Sequence, residues 1–272
     1  MIIDFHSHAF PDAVAGRAID ALKKGIKSVS GTDIEPVTDG TLAGLADISV
    51  GAGVTKSVVL PIATKPSQTE SINSFAVRIP ELSGGRLMSF GSVHPADPGA
   101  PDAVAAIAEA GLPGIKLHPE FQQSYIDSPE SMAVLRAARD HGLCVTVHAG
   151  RDIGLPPPVH CTPDMMLRVL DVLPGLKLIA AHLGGWMMWD EVAARLSGAP
   201  LYFDTAFISD YAEPAAVRDI INAHGADRVL LGSDCPWEDP AKSIAFVRSL
   251  GLENKDEELI LGGNAKKLLN LQ

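Results

Sequence analysis

Short runs of β-branched and apolar residues recur along the chain, and they set its organisation. They are MIIDFHSH (1–8), KSVVLPIA (56–63), RLMSFGSVHP (86–95), GIKLHPEF (114–121), CVTVHAG (144–150), KLIAAHLGG (177–185), LYFDTAF (201–207) and VLLGSDCPW (229–237). Each reads as a strand, bounded by turn-forming residues. The spacing between them switches to an amphipathic helical period, as in 101–111, 131–142, 163–175 and 213–225. Several of these segments open on Pro after a turn residue and close at Gly, the start and stop signals of helices.

Strand followed by helix, eight times, calls for parallel strands joined by right-handed crossovers. Eight such units in 272 residues match an α/β fold of the (β/α)8 TIM-barrel type. A doubly wound open sheet is the alternative, but its Gly-rich phosphate turn does not follow the first strand. The first crossover, residues 9–55, is long, and GTDIEPVTDG (31–40) within it reads as an inserted loop. No linker or composition shift divides the chain, so residues 1–272 are expected to form a single domain.

Composition narrows the partners. Hydrophobic residues make up 46%, in the globular range, and 22 Lys+Arg against 33 Asp+Glu leave a net charge of −11. That balance argues against nucleic acid or an anionic membrane as the main partner and leaves a small-molecule substrate. Cys144, Cys161 and Cys235 lack CxxC spacing and give no disulfide framework. With no secretory leader and no membrane-length apolar run in the sequence, the expected location is the cytoplasm.

Candidate chemistry lies at the strand ends, which form the mouth of a barrel and carry its active site. His6 and His8 close the first strand, two apart and thus on one face of an extended segment. His94 closes the third strand, Lys116 and His118 the fourth, His148 the fifth and His182 the sixth, while Asp204 lies on the seventh and Asp234 on the eighth. Six of nine histidines at such places, spread over five strands, are a coincidence that isolated structural histidines do not explain. Imidazoles with one carboxylate suit a catalytic divalent ion that keeps room for water.

The residues DFHSH, VHAG, AHLGG and GSDCPW, with the closing ILGGNAKKLLNL (260–271), resemble the amidohydrolase superfamily, in particular its amidohydrolase-2 branch of TIM-barrel metal-dependent hydrolases. The likeness implies metal ligation by His6, His8, His148 and Asp234, with His182 and Asp234 handling the proton of a metal-bound water. It also makes Lys116 and His118 candidates for a second metal or for polarising the substrate. One divalent ion is expected, Zn2+ first, with Mn2+ or another ion as alternatives and a second ion allowed.

The expected activity is hydrolysis of an amide, ester or lactone of a small molecule. The alternative is non-oxidative decarboxylation of a small unsaturated or aromatic acid, since the branch also contains enzymes such as aminocarboxymuconate semialdehyde decarboxylase. Arg151 is a candidate clamp for a substrate carboxylate. His160, Trp186 and Trp237 are further candidates for the substrate wall. Asp204 is a candidate to fix a histidine tautomer. His94 is read as a strand-end residue without chemistry and Cys235 as buried and inert. A homodimer is compatible with the family and with the acidic composition.

Overall fold

The computed structural model describes residues 1–271. All eight expected strands form, in sequence order and all parallel. They are Ile3–Ser7, Lys56–Val59, a third strand in two pieces (Leu87–Ser89 and Gly91–Ser92), Gly114–Leu117, Cys144–Val147, Lys177–Ala180, Tyr202–Asp204 and Val229–Leu230. The break at Phe90 divides the ladder into a three-stranded and a six-stranded sheet. At the other seam Phe5 N donates to Leu231 O at 2.8 Å, and Ser7 forms a parallel bridge with Cys235, joining the first strand to the eighth.

Alternation along the strands builds two apolar layers. Ile3, Phe5, Val58, Leu60, Phe90, Cys144, Ile179 and Leu230 come from six of the eight strands or their ends and pack together inside the circuit, with Phe5 edge-on to Phe90. Their sequence neighbours, such as Val145, Val147, Leu178 and Ala180, pack outward against helices including Ala100–Glu109, Pro129–Asp140 and Pro163–Val172. Ala265 and Leu269, from the C-terminal helix Asn264–Leu268 and the residue after it, join the inner layer.

Two features correct the sequence reading. The first crossover is more than an inserted loop. It holds the 19-residue helix Asp12–Ser30, an irregular stretch that includes 31–40, and the helix Leu42–Gly51 capped by the Thr41 side chain. Nor does the first strand alternate strictly. Ile3 and Phe5 already face inward, so strict alternation would turn His6 out. The pairing register shifts between Asp4 and Ser7, and this irregularity aims His6 inward as well. None of the described helices is long and apolar enough to cross a membrane.

Candidate metal centre

Hydrogen bonding fixes which nitrogen of each ring carries its proton. A nitrogen facing a backbone carbonyl must be protonated, because the carbonyl only accepts. His8 Nδ1 lies 2.8 Å from Leu60 O, His182 Nδ1 2.9 Å from Ala206 O, and His148 Nε2 3.0 Å from Arg151 O. His6 Nδ1 donates to Asp204 Oδ2 at 2.8 Å. Burial pushes His148 and His182 down to about 4 and His6 well below its ordinary pKa, so these rings are neutral at pH 7. In a neutral ring the second nitrogen is a bare acceptor.

The second nitrogens of the four rings converge in two places. His6 Nε2 lies 3.2 Å, and His8 Nε2 3.0 Å, from the same Asp234 Oδ1. His148 Nδ1 lies 3.0 Å from His182 Nε2. Lone pairs that meet in this way repel one another and favour a cation among them. The donor atoms of His6, His8 and Asp234 all lie within 4.8 Å of one another, and two imidazoles with a carboxylate suit a divalent transition ion. Asp234 remains ionised, its carboxyl well below the usual range despite its burial.

His118, His148 and Asp152 form an equally compact second group, but their protons are already placed. His118 Nδ1 accepts from Phe121 N at 3.3 Å, which leaves Nε2–H facing Asp152 Oδ2 at 3.5 Å. His148 Nε2–H faces the Arg151 carbonyl, with the same Asp152 oxygen 3.7 Å away. The two rings stack at 4.1 Å. With N–H groups rather than lone pairs turned toward this carboxylate, the first group is the one that fits a metal ion. The second holds the ring of His148 in place.

Of the four expected ligands, the structure therefore brings His6, His8 and Asp234 into one compact group and sets His148 beside His182. Asp204 sits beneath both sides of the site: one oxygen takes His6 Nδ1, the other the backbone N–H of His182 and of Ala206. Lys116 is buried, with its Nζ 3.1 Å from His6 Nε2. Burial lowers it to about 8, against the opposing pull of Asp204 and Asp234. His182 and Asp234 both have left-handed backbones, with φ of 58° and 64°, a strained choice for residues other than glycine.

The remaining candidates divide. Arg151 is exposed and, with Trp186, Glu120 and Asp152, lines a cavity of about 270 Å3. His160 is taken up by Glu120, donating from Nδ1 at 2.6 Å and from its backbone N–H at 2.5 Å. Trp237 is half-buried and closes the turn after Asp234 through a backbone bond to the Asp234 carbonyl, away from that cavity wall. His94 accepts from Ala96 N and joins neither group. Cys235 is buried, and burial raises its thiol. Asp152 and Glu120 escaped the sequence reading, although Asp152 lies four residues after His148 and Glu120 two after His118.

A family model described as Amidohydrolase matches residues 3–271. None of the curated proteins matches the sequence. Among solved structures, 5-carboxyvanillate decarboxylase from Sphingomonas paucimobilis aligns with a TM-score of 0.75 at 17% identity, covering 100% of this chain and 99% of that one. 2,6-Dihydroxybenzoate decarboxylase from Rhizobium aligns at 0.71 and 16%, covering 99% and 98%. The 5-carboxyvanillate decarboxylase of Novosphingobium aromaticivorans, complexed with manganese and 4-hydroxy-3-methoxy-5-nitrobenzoic acid, aligns at 0.78 and 14%, covering 100% and 96%. At these identities the likeness establishes the TIM-barrel fold.

Proposed function

The chain belongs to the amidohydrolase family, and from that premise we propose that it is a metal-dependent carboxy-lyase that removes CO2, without oxidation, from a small aromatic or unsaturated carboxylic acid. The observation that carries the metal dependence is the convergence of His6 Nε2 and His8 Nε2 on the Asp234 carboxylate. Support for loss of CO2 comes from full-length structural matches to decarboxylases of 5-carboxyvanillate and 2,6-dihydroxybenzoate. Hydrolysis of an amide, ester or lactone, the first expectation from the sequence, has less support.

His6, His8 and Asp234 would hold one divalent ion, Zn2+ or Mn2+, which would supply Lewis-acid polarisation of a substrate oxygen. Asp204 keeps the proton of His6 on Nδ1 and so keeps Nε2 available for the ion. Lys116 presents a buried amine whose one polar contact among the described residues is His6, and as an ammonium it would offset the charge of a substrate carboxylate. In the reaction the substrate carbon gains a proton as its bond to the carboxylate carbon breaks and CO2 departs. The proton comes from solvent water, and His182 Nε2 and Asp234, both unprotonated at rest, would take it up and pass it to the carbon. Residues 1–272 act as one catalytic domain in this scheme.

The test is CO2 release from a panel of hydroxybenzoates and unsaturated acids by protein reconstituted with Mn2+ or Zn2+, run beside acid release from lactones and esters. Metal-dependent CO2 release is the expected result. Acid release from the lactones and esters alone would return the site to hydrolysis.

A further inference from the structure

The reaction described above leaves one buried carboxyl of the first strand unused, that of Asp4. Both of its oxygens are taken. Oδ1 accepts from His6 N at 3.2 Å and from Ser233 N at 3.0 Å, while Oδ2 lies 2.6 Å from Ser233 Oγ. None of these bonds reaches the side chain of a metal ligand. They tie the first strand instead to the turn 232–235, which carries Asp234.

That turn is tightly constrained. Asp234 has a left-handed backbone with φ of 64°, costly for a residue with a Cβ and kept only where the surroundings dictate it. Three consecutive amides of the turn are fixed. Ser233 N donates to Asp4 Oδ1, Asp234 N to His6 O at 2.8 Å, and Cys235 N to Ser233 Oγ at 3.0 Å. Two of the three lead to Asp4, directly or through one hydroxyl. The turn is also pressed against the strand, since a Cβ on Gly232 would lie 2.9 Å from His6 Cβ. On its far side the Cys235 carbonyl accepts from His8 N at 2.6 Å. Any shift of the turn would therefore change the separations of 3.2 and 3.0 Å between Asp234 Oδ1 and the Nε2 atoms of His6 and His8.

We propose that Asp4 and Ser233 are a positioning pair for the metal centre, holding the left-handed backbone that aims the Asp234 carboxylate at the nitrogens of His6 and His8. The inference rests on the reading above that these three side chains hold an ion. Because Asp4 Oδ1 also takes His6 N, one carboxyl sets the backbone at two ligands, and without it strand and turn would move independently. Groups that orient metal ligands from behind carry a large share of metal affinity, because they hold the donor atoms at the right spacing before the ion arrives.

The test is titration of the metal-free protein with Co2+, read by visible absorption and by competition against a chelator. Co2+ takes the same nitrogen and oxygen ligands as Zn2+, and its visible bands report their geometry. Ser233→Ala removes one hydroxyl, leaves Cys235 N without its acceptor and touches no ligand side chain. It should lower Co2+ affinity about 10- to 100-fold and shift the bands. Asp4→Ala should act in the same direction, and if it does not fold, Ser233→Ala decides alone. Asp4→Asn should keep the wild-type bands. Its oxygen still takes both amides, and its NH2 reaches Ser233 Oγ while that hydroxyl turns toward His6 O, 3.5 Å away. Wild-type affinity and bands in Ser233→Ala, even with a lowered melting temperature, would confine the pair to stability and overturn the proposal alone. A wild type that takes up no Co2+ overturns the metal reading and this proposal with it, so the two failures are distinct.

Discussion

Asp204 decides what His6 can do. Its Oδ1 accepts two backbone N–H groups, so in Asp204→Asn the amide oxygen would keep that side and the NH2 would face His6 Nδ1. The His6 proton would then shift to Nε2, the nitrogen needed for the ion. Metal affinity should fall about 10- to 100-fold in competition against a chelator, and an unchanged affinity would refute the tautomer argument. His182→Asn should behave differently, retaining the ion while turnover drops about 100-fold or more. An empty site in that variant would make His182 a ligand instead. The candidate ligands were legible in the sequence because strand-end histidines and a late Asp stand out against the segments around them. Tautomers were not, because they depend on carbonyls such as Leu60 O and Ala206 O that only the fold brings near. The left-handed backbone at His182 and Asp234 left no sequence signal either, since glycine marks such positions and neither residue is one.

Among the elements, the strands were the most legible part, because eight apolar runs separated by helical periods permit few arrangements. The first crossover was less so. Its long helix buries only Ala15, Ile19 and Ile26, a sparse stripe that gave way in the reading to the Gly- and Asp-rich stretch after it. The register shift in the first strand was hidden as well, since an irregularity in pairing depends on the partner strand. The turn after the fifth strand shows how tightly the elements fit at the mouth. Gly150 has φ of 81°, and a Cβ there would meet Trp186 N and the Gly185 carbonyl carbon at 2.5 Å or less. Both contacts are backbone and cannot rotate away. Gly150→Ala should therefore destabilise the protein by about 2–3 kcal/mol, measured by denaturant or thermal unfolding. A variant of wild-type stability would show that this turn yields.

Across the whole molecule, buried histidines held neutral link stability to pH. His224, remote from the metal centre, stacks on Phe203, donates from Nε2 to Leu201 O and accepts from Gly198 N. Burial and the nearby Arg228 lower it to about 4. Between pH about 6.5 and about 4 the unfolded chain takes up a proton there that the folded chain refuses, so its contribution to stability is lost as pH falls through that window. Asp4 runs the other way. Burial raises it to about 7, so its contribution is lost as pH rises toward and through that value. The gap in melting temperature between the wild type and His224→Gln should therefore narrow from pH 7 to pH 4, and a constant gap would contradict the assignment. The central claim is the ion held by His6, His8 and Asp234, and elemental analysis after reconstitution with Mn2+ or Zn2+ and exhaustive dialysis tests it most directly. The account predicts one ion per wild-type chain and none in Asp234→Ala. A wild type that retains no ion, or an ion that survives the loss of Asp234, would contradict it.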